Sequence, residues 1–176
     1  WRSFAALSLA LATTSFMNVS VFPGFDAVFA YARDISVTSH AVALIALGLV
    51  ATFRPAVLRV NALNIGALAL LALGCTLPLA LGLGSVPLLV LASCALAVGR
   101  AWCILVAGIA ASRLSLAQAS VLVPLAFVVQ CAASAFAWLL PVWFGMLFFL
   151  VAPFAAWALS WRDARPVFEE TQAGEA

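Results

Sequence analysis

A single arginine stands inside a long apolar stretch of this 176-residue chain. Between Val86 and Arg113 the sequence reads VPLLVLASCALAVGRAWCILVAGIAAS, with Arg100 near its middle. About 20 apolar residues suffice to cross a bilayer as a helix, so Arg100 is expected near the membrane midplane. A lone charge there costs roughly 2.5–3.5 kcal/mol on insertion scales, so its guanidinium should face a bundle interior rather than lipid. A buried guanidinium offers a planar fork of donors suited to a carboxylate or carbonyl. The functional expectation is that Arg100 recognises an anionic or carbonyl-bearing ligand in a central cavity. The structural alternative is an arginine satisfied by Gln130 and by backbone carbonyls.

Few other polar side chains lie at depth. Gln130 is expected at the best-matched level, Asn18 lies toward the outer end of its span, and Trp102 is placed to pack near Arg100. Arg100, Gln130, Asn18 and Trp102 are therefore the candidate ligand-binding residues. Asn61 and Asn64 share a helix face, three residues apart, but sit near the inner end of their span. His40 follows a polar SVTS stretch and reads as a boundary cap, with external pH sensing as the sharper reading. Asp26 and Asp34 read as loop carboxylates. Cys75, Cys94, Cys103 and Cys131 all fall in apolar runs without CxxC spacing and read as small packing residues. No HExxH, GxSxG or phosphate-loop pattern occurs, and the lone histidine has no evident nucleophile partner. The reading is non-enzymatic, with no cofactor and no metal.

The elements that must position these residues are membrane spans. The chain is 67% hydrophobic and only 8% charged, with a mean hydropathy of +1.22, against about 25% charged residues in soluble domains. Its net charge of +2 is too thinly spread to signal nucleic acid. Six spans are expected. They run from about Phe4 to Phe22 (ended by Pro23-Gly24), Val37 to Phe53, Val60 to Leu81, Val86 to Arg113, Leu116 to Leu140, and Val142 to Trp161. Residues 1–161 thus form an all-α, six-helix transmembrane domain. Residues 162–176, RDARPVFEETQAGEA, read as a solvated cytoplasmic tail or linker. The chain starts at Trp1 without Met, which reads as a piece of a longer protein. Arg2 and the apolar run after it resemble a signal peptide in outline, but the further spans favour a first transmembrane helix.

Charge placement sets the expected orientation. Arg2, Arg54, Arg59, Arg113, Arg162 and Arg165 would all lie on one side, and only Arg33, next to Asp34, on the other. Basic residues near span ends stay cytoplasmic, so both termini are expected inside. Small residues crowd several spans: Ala62 and Gly66, Gly108 and Ser112, and the cluster Cys131 to Ser134. They should let helices approach closely.

Six antiparallel spans with both termini inside resemble one half of a major facilitator superfamily transporter. That superfamily carries a glycine–aspartate–basic motif between spans two and three. Here GLVATFRPAVLR, Gly48 to Arg59, keeps the glycine and two arginines, lacks the aspartate and displaces one arginine by a position. The fourth span keeps Arg100 but has Cys103-Ile104 where many such carriers have Gln-Gly. The stretch FAYARDIS, Phe29 to Ser36, is similar to the segment after the first helix of bacterial LuxR-type regulators with a multi-span membrane domain. This resemblance implies a sensory membrane domain in a bacterial inner membrane, with the helix-turn-helix outside this chain. The alternative is half of a facilitator-like small-molecule transporter. Implied partners are the lipid bilayer, an unidentified small molecule, and a second membrane half or a second copy of the chain. No nucleic acid would be bound through this chain itself.

Overall fold

A computed structural model describes residues 1–53 and 60–173, with side chains through residue 170. Among these the chain is all-helical, and six helical spans are long and apolar enough to cross a membrane. Lipid offers no hydrogen bonds to the backbone, so an apolar run of this length must satisfy its own N–H and C=O groups as helix. This is a polytopic membrane protein.

The first span is α1 (Arg2–Phe16), a π-helical stretch (Met17–Val21) and α2 (Phe22–Val28). The break expected at Pro23-Gly24 does not occur. Pro23 lies at the start of α2, directly after the π-helical stretch, and the helical backbone continues through it. The second span, α3 (Ala32–Phe53), begins earlier than Val37, so only Phe29–Tyr31 separate it from the first. The third is α4 (Val60–Gly74) and α5 (Leu77–Leu83), interrupted before Pro78 and ended by Gly84 in the left-handed conformation (φ 62°). The fourth is α6 (Val86–Ser112). The fifth, α7 (Leu116–Ala137), opens on a reciprocal Ser115–Gln118 capping box, which satisfies two otherwise unpaired amides. The sixth, α8 (Val142–Ala173), runs unbroken through Pro153 and Pro166.

The expectation of a solvated tail after Trp161 does not describe this helix. Ala164 and Phe168 are buried against Val60, Trp102, Val106 and Ala110, so α8 packs over the end of the bundle. The apolar side chains of this charged stretch recur at helical spacing, and that pattern outweighs its composition. Arg54 and Arg59, expected on the cytoplasmic side, lie outside the described residues.

α6 is the hub. It packs against α1, α3, α4, α5 and α8, and 67% of its apolar window is buried, against 6% in α3 and in α7. The second hub is α1, which packs on α6, α7 and α8. These contacts correspond in pairs. The first and fourth spans are both 27 residues long, and the second and fifth are both 22. Arg2 stands to Val86 as Ala32 stands to Leu116, at equal separation in sequence. Exchanging the first three spans for the last three turns α1 on α8 into α6 on α4, and α1 on α7 into α6 on α3, both of which are present. Three crossings per unit make the second unit run inverted, the pattern of an inverted-topology repeat. The correspondence is incomplete, because α6 also packs on α8 and α1 makes no comparable contact with α4.

Of the small residues in the sequence pattern, Ser134 of the Cys131 to Ser134 cluster meets a neighbouring helix, through Ser15 of α1. Ala62, Gly66, Gly108 and Ser112 are exposed on the bundle surface. The close approaches are at Gly99, where a Cβ would meet Leu71 Cγ at 2.8 Å and the Ala67 carbonyl at 2.9 Å, and at Gly74, against Leu96. A Cβ at Gly145 would collide with Ser20 of the π-helical stretch. Gly99→Ala should therefore destabilise the α4–α6 seam by about 1–3 kcal/mol, read as a lower melting midpoint in detergent. Gly108→Ala, which meets nothing within 4 Å, should hold that midpoint or raise it slightly through helix propensity; equal effects of the two would refute this packing.

Candidate functional site

Arg100 is 5% exposed on α6. Its Nη2 donates to Thr13 Oγ1 at 3.0 Å, and its Nη1 lies 3.2 Å from Met17 Sδ. Thr13 Oγ1 in turn donates to the Ala10 carbonyl at 2.6 Å, so the hydroxyl is oriented with its lone pairs toward the guanidinium. On the other side the Phe149 ring centroid stands 4.6 Å from the guanidinium carbon. A desolvated cation over an aromatic face gains about 2 kcal/mol. Among the described residues the only ion pair is Arg165–Glu169, so no carboxylate meets Arg100.

Depth explains the meeting of these three side chains. At 1.5 Å per residue, Thr13 lies about 17 Å from Arg2, Arg100 about 18 Å from Ser112 and Phe149 about 20 Å from Arg162. Gln130 lies at similar depth, about 21 Å from Leu116. It does not reach Arg100, because α7 packs on α1 and not comparably on α6. Gln130 is half-buried, and its main-chain carbonyl accepts from Ser15 Oγ at 3.5 Å. Ser15 also shares a 2.6 Å hydrogen bond with Ser134, which ties α1 to α7. Gln130 as the partner of Arg100 is thus replaced by Thr13, Met17 and Phe149.

The other candidates point elsewhere. Asn18 is exposed within the π-helical stretch. Trp102 is buried but faces α4 rather than sharing the Arg100 environment. Its Nε1 donates to Asn64 Oδ1 at 2.6 Å, and Trp157 Nε1 donates to the same oxygen at 3.0 Å. Trp102 stacks on Phe168, and Trp157 on Trp161, with centroids 5.8 and 6.1 Å apart. One asparagine thereby joins α4, α6 and α8. His40 is half-buried on α3, with Nδ1 2.8 Å from the Ala97 carbonyl of α6, so it ties two spans together rather than capping a boundary. Asp26, Asp34 and Asn61 are exposed.

Beside Arg100 is a cavity of only ≈ 10 Å³, lined by Thr13, Cys103, Ile104 and Pro153 among others. That is about the space of one water. Arg100, Gln130, Asn18 and Trp102 do not converge on one pocket in this conformation. The residues that sequence reasoning missed are Thr13, Met17 and Phe149. Thr13 alone carried a signal, as a polar residue at the right depth in the first span.

Compared with known protein families, curated proteins and solved structures, the chain matches none.

The shared acceptor makes a sharp expectation. Asn64→Leu leaves two indole N–H groups in an apolar interior, and each unsatisfied donor costs about 1–3 kcal/mol. The variant should melt lower, with a shifted tryptophan emission maximum. Asn61→Leu, at an exposed position, should do neither; matching behaviour would contradict the junction.

Proposed function

We propose that this chain is a membrane-embedded sensory domain of a LuxR-type transcriptional regulator, built as one facilitator-like six-span half with both termini inside. The observation that carries the reading is the placement of Arg100 against α8. Phe149 covers the guanidinium, and Pro153, one turn on, lines the same small cavity. Proline removes the N–H that would bond the Phe149 carbonyl and makes that turn a natural hinge. The same helix reaches Asn64 through Trp157 and Trp102 through Phe168, and continues to Ala173. An anionic ligand drawing Arg100 away from Phe149 would therefore act on the helix that leaves the bundle. A response of this kind needs only a differential affinity for two arrangements of α8.

Further support comes from the clustering of Ser3, Arg113 and Arg162 at one end of the bundle, in keeping with termini on the inner face of a bacterial inner membrane. The alternative, half of a small-molecule transporter, draws on the inverted correspondence of the two three-span units. It draws also on the scant burial of α3 and α7, which leaves surface for a second half or a second copy.

The test is a fusion of the chain to a helix-turn-helix module driving a reporter, titrated with small carboxylates. Arg100→Ala should shift the half-maximal dose by roughly 10- to 100-fold, the worth of hydrogen bonds to a charged group, at normal membrane levels. Arg100→Lys should recover part of the response, since it keeps the charge but not the fork. A full response from Arg100→Leu would defeat the reading, and carboxylate uptake by proteoliposomes of the chain would favour the carrier instead. Failure of Arg100→Ala to accumulate would assign Arg100 a structural role.

A further inference from the structure

Away from Arg100, the start of α1, the end of α6 and α8 surround a cleft of ≈ 290 Å³ lined by Ser3, Arg113, Arg162 and Asp163 over Ala110 and Leu114. That volume is near the lower end of ligand pockets, about 300 Å³. Ser3 Oγ donates to Asp163 Oδ2 at 3.4 Å across it. Arg113 and Arg162 are exposed. Neither forms an ion pair, since Arg165–Glu169 is the only one among the described residues.

The depth of the cleft identifies its surroundings. Arg162 lies about 30 Å along α8 from Val142, one hydrocarbon thickness, so it reaches the level of the lipid headgroups. Arg113 follows α6, and Ser3 stands in the first turn of α1. Two guanidinia and one carboxylate give the lining of the cleft a single net positive charge. Planar guanidinium forks bind phosphate oxygens in pairs. Ser3 and Asp163 offer a hydroxyl and acceptor oxygens, which suit alcohol groups rather than a second anion.

We propose that Ser3, Arg113, Arg162 and Asp163 form a binding site for the phosphodiester headgroup of a monoanionic, hydroxyl-bearing phospholipid. Arg113 and Arg162 clamp the phosphate, Asp163 and Ser3 meet the headgroup hydroxyls, and Leu114 lies beneath the glycerol backbone. The charge of the cleft matches such a lipid, and the bilayer presents it at this depth in high local concentration. This site is separate from Arg100 and does not rest on the sensory reading. A free phosphate shares the chemistry but lacks the apolar attachment.

The experiment is native mass spectrometry of the purified chain in detergent with added phosphatidylglycerol, phosphatidylethanolamine, phosphatidylcholine or inorganic phosphate. One phosphatidylglycerol should be retained in preference to phosphatidylcholine by roughly 30-fold, which about 1 kcal/mol per arginine gives for two arginines. Arg113→Gln with Arg162→Gln should abolish the preference, while Arg165→Gln, outside the cleft, should keep it. The single Arg162→Gln, at an exposed position, serves if the double variant does not fold, and should lose several-fold. Equal retention of phosphatidylglycerol and phosphatidylcholine, or an unchanged preference in the arginine variants, would overturn the proposal. Stronger retention of phosphatidylethanolamine would assign Asp163 to an ammonium group and overturn the monoanionic assignment. Displacement of lipid by millimolar phosphate would overturn the lipid source.

Discussion

A guanidinium placed at mid-membrane without a carboxylate constrains everything around it. Hydrocarbon cannot solvate it, so the protein supplies a hydroxyl, a thioether and an aromatic face from two other helices. Each is a modest partner, and together they replace water only if α1 and α8 both stay against α6. The arginine therefore sets the geometry of the three-helix centre.

The rest of the bundle grows outward from this centre. α1 and α6 are the corresponding hubs of the two three-span units, and the peripheral helix of each unit, α3 or α7, packs on the hub of the other. Glycines 74 and 99 let α4 come close to α6, and Gly145 does the same for α8 against the π-helical stretch. That stretch begins at Met17, which contacts Arg100; π-helical turns are often found at functional positions. α8 belongs to both the buried centre and the end of the bundle where Ala164 and Phe168 pack. It carries both Phe149, which covers Arg100, and Phe168, which stacks on Trp102 of α6.

Much of this was legible in the sequence. Apolar run length determines the number of spans, because lipid leaves the backbone no other option. Depth was legible too, since residue count converts directly to height along a helix. What was not legible was which helix stands beside which. Gln130 has the right height but sits on α7, across α1 from Arg100, whereas Phe149 looks like one more lipid-facing aromatic until α8 is set against α6. Proline and charge misled for a related reason. Pro23 reads as a break unless the π-helical stretch that leads into it is known. The charged stretch after Trp161 reads as solvated unless the helical spacing of Ala164 and Phe168 is given more weight than its composition. The small-residue pattern of Ala62 and Gly66 marked a surface, while the working contacts at Gly74 and Gly99 depend on the partner helix.

The claim on which this account stands is that Arg100 is held by Thr13 and Phe149. A double-mutant cycle on unfolding in detergent tests it directly, combining Arg100→Met with Phe149→Leu, with Thr13→Val and with Gln130→Leu. The account predicts coupling of about 0.5–2 kcal/mol for Phe149 and about 1.5–3 kcal/mol for Thr13, with Gln130 additive to within about 0.5 kcal/mol. Additivity for Phe149 and Thr13 together with strong coupling to Gln130 would contradict it.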